Sequence, residues 1–184
     1  MRKGIESLPT LPAGKWRLDS DSARVELSTP VFGATVHVVF NDLSGVVEIG
    51  SRPLGSSVFL SIQAASLRSG NRSRDHVLRS TLGLDVRRFP IIAFRGAAVT
   101  WADGHTLVVE GELEVRGRTV PLTMPVRVRS ADDCRTDLFA RAEITPSRLG
   151  LQLPVPSGVR LPGRDPALSL AVSAAIGNCV ASAA

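Results

Sequence analysis

S-L-R-S-G-N-R-S-R-D-H-V-L-R-S-T-L-G-L-D-V-R-R-F-P-I-I-A-F, running from Ser66 to Phe94, is the stretch from which the rest of the chain can be read. An alternating strand ends near Ala65 and a polar Ser/Gly/Asn/Arg turn follows. A short amphipathic helical segment then runs from Asp75 to Leu82, and a new strand begins after Phe89-Pro90. The excursion brings Arg74, Asp75 and His76 to one spot, between two strands whose apolar residues face a common interior.

Outside this excursion the periodicity is two. Val25 and Leu27 alternate with Arg24, Glu26 and Ser28; Val36, Val38 and Phe40 share a face opposite Thr35 and His37. Val58, Leu60 and Ile62 repeat the pattern, as do Leu107, Val109, Leu113 and Val115 against Glu110, Glu112 and Glu114. Gly111 interrupts that apolar face and suits a bend or bulge. Ala102-Asp103-Gly104 and Arg116-Gly117-Arg118-Thr119 are hairpin turn signals. Leu122, Met124, Val126 and Val128 follow, and Leu168 to Ile176 closes the series. About eight meandering antiparallel strands with one helical excursion describe an all-β barrel or strongly curved sheet. The leader, residues 1–14, carries Pro9 and Pro12 and is expected to be flexible; the barrel spans 15–177, and 178–184 is a tail. Five prolines between Pro146 and Pro166 predict a long rim loop.

A chain of 184 residues with 43% hydrophobic content can bury a single sizeable core. Its net charge of +5 is spread along the sequence and reads as solvated surface. The N-terminus shows no apolar signal-peptide core and no run of about 18 apolar residues occurs, so a cytoplasmic location without a transmembrane segment is the expectation. Cys134 and Cys179 lack metal-binding spacing and are expected to be reduced thiols there.

Motifs for catalysis are missing. There is no nucleophile elbow, no H-E-x-x-H, no phosphate-cradling glycine loop and no dinucleotide fingerprint. The histidines His37, His76 and His105 are far apart, with His37 and His105 expected on the surface. The expectation is a non-enzyme with no cofactor and no metal. Nucleic-acid binding is disfavoured: the chain has no tyrosine, and no strand interleaves aromatics with Lys or Arg. An apolar ligand fits better, because a barrel of about eight strands either fills itself or holds one small ligand. The inward set is Val25, Leu27, Val36, Val38, Phe40, Val58, Leu60, Ile62, Phe94, Val109, Leu113, Met124, Val126 and Val172. Its many valines suit a hollow interior and a packed β core equally well.

Arg74-Asp75-His76-x-Leu78 followed by Phe89-Pro90 and the strand to Phe94 resembles the signature of the YceI-like family. Trp16-x-x-Asp19 before Ser22-Ala23-Arg24-Val25 resembles its opening. Gly45 is similar to the glycine where the second strand turns into the third. Val109 to Thr119 resembles the family's hairpin, and Ala142 to Leu151 its late Arg-Gly strand. The resemblance implies an eight-stranded antiparallel lipocalin-like barrel that binds a long-chain isoprenoid, such as a quinone precursor or polyprenyl lipid, or an acyl lipid. It also implies possible homodimers. Carried over residue by residue, it places the ligand's polar head at a pocket mouth formed by Arg74, Asp75 and His76. The competing reading makes Asp75 the cap of the short helix. The alternative for the whole chain is a stress-related protein-interaction barrel with a filled or promiscuous core.

Overall fold

The computed structural model describes residues 11–31, 34–50, 55–131, 134–151 and 168–177. Residues 1–10 of the leader, 152–167 of the proline-rich stretch, Cys179 and the tail lie outside these. Ten strands form one antiparallel sheet: β1 (Gly14–Leu18), β2 (Arg24–Val31), β3 (Ala34–Phe40), β4 (Leu43–Ile49), β5 (Ser57–Gln63), β6 (Ile91–Trp101), β7 (Thr106–Val115), β8 (Arg118–Ala131), β9 (Arg135–Ile144) and β10 (Leu168–Gly177). The helix α1 spans Arg72–Arg79.

The sheet is closed. Neighbours run β1-β4-β5-β6-β7-β8-β9-β10, and β10 returns to β1 through Arg17–Gly177 and Leu18–Ile176, giving eight places around the ring. β2 continues the place of β1 against β10, and β3 pairs with β2 above β4. Two of the eight places are thus strands broken in the middle. The first break is built by Asp19, whose carbonyl accepts from the amides of Ser22 and Ala23 and whose Oδ1 accepts from the Asp21 amide. Trp16, the other fixed point of that opening, is fully buried and donates from Nε1 to the carbonyl of Pro12 at 3.1 Å. Strand β1 already opens at Gly14, the last residue of the expected leader. The second break falls at Asn41–Asp42, and Gly45 lies inside β4, not at the turn.

The bulge expected at Gly111 sits on the facing strand. The register of β6 and β7 slips between Gly96 and Ala98, directly opposite Gly111. Both glycines are there for close approach. A Cβ on Gly111 would lie 2.3 Å from the carbonyl oxygen of Arg95, and one on Gly96 would lie 2.7 Å from a methyl of Val109.

The helix is displaced from its expected span of Asp75–Leu82 because the cap is Asn71, not Asp75. Asn71 Oδ1 accepts from the Arg74 amide at 3.0 Å and so begins the helix three residues early. Before the helix, Val39 and Arg68 exchange backbone hydrogen bonds at 2.8 Å, which fastens the start of the excursion to β3. His37 and His105 are exposed as expected, with His37 Nδ1 2.7 Å from Glu26 Oε1.

Gly111→Ala is expected to destabilise the barrel by about 1–3 kcal/mol, because the atom it meets is backbone that cannot rotate away. Urea unfolding would show the loss as a lower midpoint, and an unchanged midpoint would contradict it.

Candidate functional site

The barrel interior is packed near α1 and opens into a lumen away from it. Towards α1 the inward residues are large and packed together: Phe40, Leu43, Ile62, Leu67, Leu84 and Leu113 are all buried in one cluster. Away from α1, Leu18, Leu60, Leu107, Met124 and Leu138 together with Val109, Val126 and Ala140 leave open space between them. This lumen offers about 100 Å³ to a water-sized body, and about 800 Å³ of empty space when solvent at its opening is included. Its lining residues are all apolar, with Phe94 among them on the side of the packed half.

Of the inward residues expected from sequence, Val58, Leu60, Phe94, Val109, Met124, Val126 and Val172 line the lumen. Val25, Leu27, Val38, Phe40, Ile62 and Leu113 do not line it, although they share one continuous core cluster with the lumen residues Phe94, Val109 and Met124. Val36 belongs to neither set. Its rung with Thr29 lies beyond Ser28–Ser169, the last rung at that end between β2 and β10, so no third strand covers it there. Sequence reading missed Leu11, Leu18, Ile49, Val99, Leu138 and Ile176, which also line the lumen. Ile176 was visible in the alternation; Val99 was not, because the register slip between Gly96 and Ala98 reverses the parity that Phe94 sets. Leu11 was not, because nothing in a proline-flanked leader marks one leucine as packed.

Arg74, Asp75 and His76 do not line the lumen. They stand at the opposite, packed end, with Leu67 and Leu84 buried beneath the excursion that carries them. Arg74 serves the helix cap through its backbone amide. Asp75 is buried, and its Oδ1 accepts from the Ser69 amide at 2.7 Å and the Ser69 hydroxyl at 2.5 Å. Asp75 thus ties the turn to the helix without capping it. His76 is exposed. Asp75 and His76, but not Arg74, border a second, polar hollow beside α1.

Burial pushes the Asp75 carboxyl up, but the two Ser69 hydrogen bonds and the charges of Arg79 and Arg68 outweigh it, and its pKa falls below the ordinary value of 3.8. Among the described residues no cluster of His, Cys, Asp and Glu can hold a metal ion, and no helix is long and apolar enough to cross a membrane.

A closed antiparallel barrel of eight places, with one end packed and an apolar lumen at the other, defines a lipocalin-like architecture. The sequence matches the family model of the YceI-like domain over residues 16–173, and the chain belongs to that family. A UPF0312 protein of Pseudomonas putida strain GB-1 is 33% identical over 89 residues, which are 48% of this chain and 46% of that protein. The matched stretch therefore spans about half the length of the curated relatives. BcnA of Burkholderia cenocepacia superposes with a TM-score of 0.74 at 17% identity, covering 86% of this chain and 98% of that one. A polyisoprenoid binding domain from Saccharophagus degradans, implicated in plant cell wall breakdown, gives 0.68 at 12% identity, covering 88% of this chain and 97% of its own. The Campylobacter jejuni YCEI protein gives 0.67 at 15%, covering 79% and 86%. At these identities the structures establish the shared fold.

Because its folded-state pKa is depressed, Asp75 adds stability above its ordinary value of 3.8, and that contribution is lost as the pH falls through the lower folded value. Asp75→Asn is expected to be less stable than the parent in urea at about pH 6, with the gap closing towards about pH 2. A gap that stays constant over that range would contradict this role.

Proposed function

We propose that this protein binds a long-chain isoprenoid or a similar amphiphile by its apolar tail inside the lumen, and acts as a carrier or reservoir rather than as a catalyst. The observation that carries the reading is the wholly apolar lining of the lumen. Such a lining offers a tail about 25 cal/mol per Å² of apolar surface removed from water, or about 0.8 kcal/mol per methylene. It offers nothing to a charged head, which would lose its hydration without a partner. The head therefore remains at the open end, away from α1, and the expectation that Arg74, Asp75 and His76 receive it is given up. The polyisoprenoid binding of the Saccharophagus degradans neighbour supports the same ligand class.

Room sets a limit on the tail. The enclosed 100 Å³ is smaller than the ~150 Å³ cavity known to accept a benzene ring. A tail of several isoprene units must therefore part side chains of the lumen, or lie partly in the space at its opening.

Filling the lumen tests the reading. Val109→Trp occupies the open space and is expected to abolish heat of binding for farnesol in titration calorimetry while far-UV circular dichroism stays unchanged. The companion change Leu113→Trp, in the packed half, is expected to destabilise by about 1–3 kcal/mol, because there is no space to accept it. A folded Val109→Trp protein that binds farnesol like the parent would contradict a luminal site.

A further inference from the structure

At the packed end, one face of α1 looks onto the turn that precedes it. Arg72, Asp75, His76 and Arg79 follow the i, i+3, i+4, i+7 spacing of a single helical face. With Arg68, Gly70 and Asn71 they border an open hollow of about 630 Å³. The hollow shares no residue with the lumen.

Its charge is unbalanced by construction. Arg68, Arg72 and Arg79 face one carboxylate, Asp75, whose Oδ1 is already held by Ser69. Asp75 Oδ2 lies 3.9 Å from Arg79 Nη2, a weak remaining contact. Two of the guanidinium groups are drawn together: Arg68 Nη1 donates to the Leu67 carbonyl at 2.8 Å, and Arg79 Nη2 donates to the same oxygen. Asp75 offsets part of the repulsion between these two charges, and with Arg72 the hollow keeps an excess of positive charge. Arg79 Nε is moreover buried and has no hydrogen-bond partner, a donor left over in the wall of the hollow.

We propose that this hollow is a binding site for a phosphate-type oxyanion, either the head group of an acidic phospholipid or free phosphate. Guanidinium forks match the paired oxygens of such a group, and charge-assisted hydrogen bonds to it are the strong kind. The site is separate from the lumen, so its failure would leave the proposed carrier function untouched.

Arg68 and Arg72 are exposed, so Arg68→Gln with Arg72→Gln removes two cations without disturbing the core; circular dichroism would verify the fold. Inorganic phosphate titrated at constant ionic strength is followed through the backbone amide resonances of residues 68–79. In a second arm the protein is sedimented with phosphatidylcholine vesicles, with and without phosphatidic acid. Saturable amide shifts that weaken about tenfold or more in the double variant support the site, with free phosphate as its source if vesicles are ignored. Retention on phosphatidic acid vesicles that the double variant loses supports it, with the lipid head group as source. Phosphate shifts no larger than those of chloride together with indifference to phosphatidic acid would overturn it, as would a double variant that binds either probe like the parent.

Discussion

Closure of the ring between β1 and β10 is the constraint on which the rest of the structure depends. Arg17 and Leu18 reach Gly177 and Ile176 while the same short strand holds β4 on its other side. Without that contact the sheet would be open between its first and last strands, with two unpaired edges and no inside. With it, every strand acquires an inward and an outward face, and alternation in sequence becomes a radial pattern. The broken strands follow from the same requirement. β1 and β2 divide one place in the ring, and Asp19 gathers the backbone amides at the break. The Gly96–Gly111 approach supplies close packing between β6 and β7 where the register slips.

Closure creates an interior, and side-chain volume decides what occupies it. Near α1, Phe40, Leu43, Ile62 and Leu113 are buried in one cluster with Leu67 and Leu84 from the excursion. Away from α1, Val109, Val126, Ala140 and Ala174, with Leu60, Leu107, Met124 and Leu138, surround a space that they do not fill. The two alternatives that the valine content left open, a filled core and a hollow one, are thus both present, at opposite ends. This asymmetry also separates the chemistry: an apolar space at one end, and a cluster of arginines on the outside of the plug at the other.

The strands and their inward faces were legible because period-two alternation reports directly on which side is buried. Which inward residues border the lumen was not: Val172 does, while Val25, its rung partner on β2, does not. Asp75 was misread. An aspartate opening a helical segment carries the composition of a cap, and only the geometry shows that Asn71 does that work while Asp75 bonds to Ser69. The family signature thus identified a well-built turn correctly. That the signature lies apart from the lumen was not legible, because sequence order cannot say which end of a barrel is plugged.

The central claim is that the open half of the barrel holds an amphiphile by its tail. Native mass spectrometry of the purified protein, followed by organic extraction and lipid identification, tests this most directly. The account predicts a stoichiometric isoprenoid or acyl lipid that leaves with the organic phase. A ligand-free mass that stays unchanged after incubation with polyprenyl quinones and fatty amides would contradict it.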